Sequence, residues 1–371
     1  MEANVNLGKI FGIPVGLHLS WFLIFILLTW SLATGFFPRE YPALAGIYNW
    51  ALGLVTSLLF FGSVLAHELA HSVVARRNQV PVRRITLFIF GGVAQIDQEP
   101  RSAGAEFRIA IAGPATSLTL AAIFAAIWWL ERYIPYLAAP MLWLARINFI
   151  LAVFNLIPGF PLDGGRVLRS IVWKITNNYQ KATQSATFMG QIVAVGFIGL
   201  GIFTIFRGNF LDGIWFVFIG WFLQNAAAAS YAQTSVQHAL RGVTVSQVMS
   251  RECAKVPRLL TLRQLVDEKI LSGGQRCFFV ASNGDLEGMV TLRDIAAVPQ
   301  QRWRFTTTEQ VMVPYDRLVK VHPDMELLTA LHAMDDANVA QVPVVEGNSI
   351  VGMLSREQIL HYIRIRSELG I

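Results

Sequence analysis

Hydrophobic and polar positions divide this chain near residue 230. Before that point, long apolar stretches alternate with short polar connections, and a helix needs about 20 mostly apolar residues to cross a bilayer. Residues 17–35, 50–75, 108–130, 141–174, 182–206 and 212–231 meet the requirement, the fourth with an interruption. They predict six transmembrane helices. Between the second and third, "ITLFIFGGVAQI" (residues 85–96) is too short to cross, and β-branched and aromatic residues flank Gly91 and Gly92. The pattern predicts a β-hairpin or re-entrant segment, with a plain amphipathic linker as the alternative. Non-helical backbone at membrane depth survives only against protein or a water-filled cavity. A hairpin there offers a strand edge to which an extended peptide can add, with Gly91 and Gly92 as the candidates for that pairing.

Beyond residue 243 the pattern shifts to short amphipathic segments that repeat. "TVSQVMS" (244–250) recurs as "TTEQVMV" (307–313), and "LEGMVTLRDI" (286–295) recurs as "IVGMLSREQI" (350–359). Each copy reads strand, helix, short strands, helix. The expected organisation is an α-helical polytopic membrane domain over 1–235, then a soluble α/β pair over 243–300 and 305–371.

Composition supports the division. Hydrophobic residues make up 54% of the chain and charged residues 15%, against about 25% charged in a soluble domain. The two cysteines, Cys253 and Cys277, both lie in the C-terminal part; they make no disulfide framework and fit a reducing cytosol. The net charge of +6 does not point to nucleic acid, because the arginines sit beside apolar segments and no basic run is interleaved with aromatics. Glu2 and Lys9 cancel ahead of the first span, so that span reads as a retained anchor rather than a signal peptide.

Positive charge then orients the spans. Arg76, Arg77, Arg83, Arg84, Arg101, Arg108, Arg166, Arg169, Lys174 and Lys181 fall on one side, and only Arg39, Arg132 and Arg207 on the other. This places the N-terminus, the end of the second span and the C-terminal pair on the cytoplasmic side of a multi-pass cell-membrane protein. Arg166 and Arg169 are expected to anchor at that interface.

Chemistry enters with "SVLAHELAHSVVARR" (63–77). His67 and His71 are four apart, so on a helix they share one face and can both reach one zinc ion, with Glu68 beside them to move protons. A chance pattern and a His/Glu proton relay of a transporter are the alternatives. Zinc needs a third protein ligand and a relay does not. Asp163 supplies a candidate, in "NLIPGFPLDGGR" (155–166), where prolines and glycines forbid a continuous helix. A carboxylate at that depth is costly unless compensated. Taken alone, Asp163 can also be read as a helix cap.

H-E-x-x-H closing one span, with N-x-x-P-x-x-P-L-D-G-G in a broken later one, resembles the site-2 protease family of intramembrane zinc metalloproteases, over residues 1 to about 230. The resemblance implies that His67, His71 and Asp163 hold one catalytic zinc ion and that Glu68 is the catalytic acid/base. It further implies that Asn155 contacts substrate or oxyanion, and that Gly91-Gly92 is the family's substrate-pairing element. "AGPATS" (112–117) resembles the family's A-G-P-x-x-N, with Ser117 in place of the asparagine. The implied substrates are transmembrane or membrane-anchored proteins. A channel or transporter using the same residues as a relay would show inverted repeats in the spans, and none is visible. An inactive scaffold would not need Glu68.

The C-terminal repeat resembles a tandem pair of CBS motifs. That resemblance implies binding of an adenine nucleotide (ATP, ADP or AMP) in the cleft, with Thr291 and Asp294 holding the ribose and Ser355 as the second copy's counterpart. The second copy has Gln358 where the first has Asp294. The alternative is a pair that only joins two copies into a homodimer.

Overall fold

The computed structural model describes residues 4–42, 46–89, 91–96, 99–240, 242–251, 254–272, 277–282, 285–347 and 349–369. They form two compact units, Met1–Thr234 and Ser235–Ile371.

The first unit opens with a β-hairpin that the apolar pattern of the chain does not announce. Strands β1 (Val5–Ile10) and β2 (Ile13–Leu17) are joined through Phe11 and Gly12, both at positive φ (50° and 75°), as a tight two-residue hairpin turn requires. Strand β2 pairs in parallel with β3 (Val82–Phe88), which pairs antiparallel with β4 (Gly91–Ile96). The expected hairpin over 85–96 is therefore present, as half of a four-stranded sheet ordered β1-β2-β3-β4 that leaves β4 at an edge. Helix α1 (Leu19–Ser31), a π-helical turn (Leu32–Phe36) and α2 (Phe37–Glu40) lead to α3 (Gly46–Arg77). Ile13, Val15 and Ile85 are fully buried against Leu65, Leu69 and Val73 of α3. The sheet thus braces the turns of α3 that carry His67, Glu68 and His71.

Helices α4 (Ala103–Leu130), α5 (Pro135–Asn155), α6 (Asp163–Thr176), α7 (Tyr179–Phe206) and the part of α8 (Phe210–Leu240) up to Thr234 complete the unit. Among the described residues, six helical segments are long and apolar enough to span: Leu19–Glu40, Gly46–Arg77, Ala103–Leu130, Pro135–Asn155, Tyr179–Phe206 and Phe210–Ser230. Their packed faces are rich in small residues, such as Ala138, Ala139, Ala152, Ala182, Ala186 and Ala194, while Phe188, Trp215 and Trp221 point outward. Close approach of backbones replaces the hydrophobic effect where lipid is the solvent.

The fourth span differs from the expected 141–174. It ends at Asn155, and after the turn segment 156–162 a separate helix α6 begins. Pro158 and Pro161 donate no backbone hydrogen bonds and stop the helix. Arg169 on α6 is not an interfacial anchor. It is 5% exposed, donates from Nε to Glu106 Oε1 of α4 at 2.6 Å, and lies over the rings of Phe160 and Tyr179. A charge held this deep needs a partner, and that partner stands 63 residues away, beyond the reach of local pattern.

The second unit contains β5 (Lys255–Pro257), α9 (Leu262–Gln264) with a π-helical extension to Ile270, β6 (Cys277–Ser282), β7 (Asp285–Thr291) and α10 (Leu292–Ala296). The second copy follows as α11 (Thr308–Val311), β8 (Val313–Pro314), α12 (Leu327–Asp336), β9 (Gln341–Glu346), β10 (Ser349–Ser355) and α13 (Arg356–Leu369). The copies exchange their leading segments. Ser250 and Met353 trade backbone hydrogen bonds of 2.9 Å, while β8 pairs with β7. Among the described residues, one apolar core lies around Leu262, Leu265, Phe278, Val280 and Val290, another around Leu327, Met334, Val342, Val344 and Leu354, and a smaller one around Cys277, Phe279 and Met289. Burying each such side chain stabilises by roughly 1.5–3 kcal/mol.

Candidate metal centre

Helix α3 presents His67 and His71 one turn apart, and α4 receives both. The Nδ1 of His71 donates to the Ile109 carbonyl at 2.7 Å, and the Nδ1 of His67 lies 2.9 Å from Ser117 Oγ. Asp163 arrives from the first turn of α6. It makes no capping bond, because the cap residue of α6 is Leu162 and no side chain caps that end. Its Oδ2 instead lies 3.2 Å from His67 Nε2 and 3.1 Å from His71 Nε2, and the two Nε2 atoms are 3.2 Å apart. The histidines are 4% and 5% exposed.

This donor set fits a zinc ion. A carbonyl only accepts, so His71 carries its proton on Nδ1 and a neutral ring leaves Nε2 as a bare lone pair. Imidazole lone pairs and a carboxylate oxygen facing one another repel unless positive charge lies among them. Two imidazoles and a carboxylate are a zinc-type ligand set, and ligand bonds of about 2.0–2.1 Å at a tetrahedral ion set neighbouring ligand atoms about 3.3 Å apart. The observed separations of 3.1–3.2 Å match. Gly113 of α4 keeps the space open: a Cβ there would fall on Nε2 of both histidines.

Glu68, between the two histidines in sequence, is partly buried and faces strand β4. A Cβ on Gly92 would come within 3.0 Å of Glu68 Cδ and 3.2 Å of its Oε1, so glycine lets the edge strand lie alongside this carboxylate. Gly91, at φ 126°, opens β4 opposite Phe88. Asn155 is half-buried at the last residue of α5, and it makes no hydrogen bond to His67, His71 or Asp163 among the described residues. Gly164 and Gly165 admit the backbone of residues 156–160 against the start of α6, which aims Asp163 inward. His18 caps α1, accepting from the Ser20 backbone. Gly113 and the Ile109 carbonyl escaped the motif reading; the A-G-P stretch carries the first, but a backbone carbonyl leaves no trace in sequence.

In the second unit an open cleft of about 1250 Å³ brings Thr291, Asp294 and Ser355 together, with Arg293, Arg317, Arg356 and Arg364 around them. Asp294 Oδ2 accepts from both the backbone (2.8 Å) and the hydroxyl (2.6 Å) of Thr291. Gln358 does the matching work for Ser355, accepting from its backbone at 2.8 Å. Cys277 is buried in β6, and Cys253 lies outside the described residues.

Residues 55–134 and 133–198 match Peptidase family M50, and residues 245–300 and 309–365 match the CBS domain. The "Putative zinc metalloprotease Rip3" of Mycobacterium tuberculosis is 34% identical over 98% of this chain and 94% of its own. The "Putative zinc metalloprotease sll0528" of Synechocystis is 35% identical over 97% and 95%. Among solved structures, the site-2 protease from Methanocaldococcus jannaschii is 31% identical, covering 61% of this chain and 94% of its own at a TM-score of 0.42.

Proposed function

The chain belongs to Peptidase family M50, the site-2 protease type of zinc metalloprotease, and from that premise we propose that it is an intramembrane endopeptidase. It hydrolyses peptide bonds in or near the transmembrane segments of membrane-anchored proteins. The observation that carries the reading is the meeting of one ligand atom each from His67, His71 and Asp163, all within 3.1–3.2 Å of one another.

These three residues would hold the zinc ion, which when bound lowers the pKa of a water toward neutrality and polarises a carbonyl. Glu68 takes the attacking water's proton and returns it to the leaving amine. The Asn155 amide donates to the developing oxyanion. An extended substrate segment adds to the edge strand β4 at Gly91 and Gly92, and Gly92 sets that strand beside Glu68. Carbonyls of a substrate helix are already hydrogen-bonded, so the substrate must unwind locally before it can be cut. The bias of positive residues supports a cytosolic placement of this end of α3 and of the C-terminal unit.

Quantitative mass spectrometry of membranes carrying wild type or Glu68→Gln tests the proposal. Peptides released only by wild type are expected, and identical peptide sets would overturn it. A finer reading concerns regulation. The arginine-lined cleft supports capture of an adenine nucleotide, which calorimetric titration of the intact, detergent-solubilised chain with ATP, ADP and AMP should register. No heat from any of the three would remove that reading.

A further inference from the structure

Helix α4 meets the two histidines in register. Ile109, Gly113 and Ser117 are spaced by four, as are His67 and His71, so one stripe of α4 lies along one stripe of α3. The three contacts differ in kind. His71 is held by a backbone carbonyl, which the fold supplies whatever residue stands at 109. Gly113 provides only room. His67 is held by a side chain, the hydroxyl of Ser117, which is fully buried.

A serine hydroxyl both donates and accepts, so its bond to Nδ1 fits either tautomer of His67 and fixes the plane in which the ring lies. That plane points Nε2 at Asp163 Oδ2 and His71 Nε2, each 3.2 Å away. When Nε2 binds a metal the ring proton sits on Nδ1, and Ser117 Oγ is there to accept it. We infer that Ser117 is a positioning residue: its hydroxyl orients the His67 ring and receives the Nδ1 proton of the metal-binding form, and so sets the affinity of the centre. The inference rests on the reading of His67, His71 and Asp163 as a metal site. It also gives the serine a role of its own at the position where the A-G-P-x-x-N pattern has asparagine.

The test uses the full chain, purified in detergent, stripped with a chelator and titrated with Co2+, whose visible absorption reports its ligands. Loss of a hydrogen bond behind a metal-binding histidine typically costs about 10–100-fold in affinity, so Ser117→Ala should bind Co2+ that much more weakly. Ser117→Thr, which keeps the hydroxyl, should bind more tightly than Ser117→Ala. Wild-type affinity in Ser117→Ala, or an equal loss in Ser117→Thr, overturns the inference. If wild type itself gives no cobalt spectrum, the metal-site reading fails instead.

Discussion

The membrane unit and the C-terminal unit each gather motif residues at helix starts and turns, yet the two groups meet their hydrogen-bonding needs in opposite ways. Asp294 is consumed locally: Thr291 N–H and Oγ–H both donate to it, and in the second copy Ser355 N–H donates to Gln358 Oε1 while Gln358 N–H donates to Ser355 Oγ. Those residues cap α10 and α13 with or without a ligand. Asp163 also begins a helix, but it caps nothing and turns toward the Nε2 atoms of His67 and His71. The lesson is that a polar motif which satisfies itself explains its own presence through folding. One that gathers ligand-type atoms from distant helices without serving the local fold is the better candidate for binding.

Three perturbations sharpen that contrast, and the first is the most severe. Gly113→Ala puts a methyl group where both Nε2 atoms need open space, so zinc content by elemental analysis and proteolysis should both fall to background. Stoichiometric zinc in this variant would break the argument for the centre. Glu68→Gln comes next: proteolysis should drop about 10²–10⁴-fold, the usual worth of a general acid/base, while zinc content stays at the wild-type level. Loss of zinc together with activity would show Glu68 to be a ligand rather than a proton carrier. Thr291→Ala is the mildest. Losing a cap costs about 1 kcal/mol, so hydrogen exchange of residues 292–296 in the intact chain should quicken roughly five-fold, with proteolysis unchanged. Unaltered exchange would mean that the Thr291–Asp294 pair is not there for folding and would return it to the ligand.

Much of this was legible in the chain. Hydropathy marked six spans, and the four-residue spacing of His67 and His71 put them on one helical face. The proline-rich break pointed Asp163 inward. The hairpin over 85–96 was visible in its residues, but its partners β1 and β2 were not, because a short N-terminal hairpin is overshadowed by the long apolar run that follows. Arg169 was misread as an interfacial anchor for a similar reason: a positive charge near a span end looks the same in sequence whether it meets lipid headgroups or a buried Glu106.

By itself, then, the sequence determined which residues could do chemistry and which segments had to be helical, because periodicity and residue type act over a few neighbours. Only the tertiary structure decided what those residues face. It set Ile109, Gly113 and Ser117 behind the histidines and laid β4 beside Glu68. It also brought Asp163 to the two histidines. Contacts across 38 to 96 positions depend on how helices pack, and neither spacing nor composition encodes that directly.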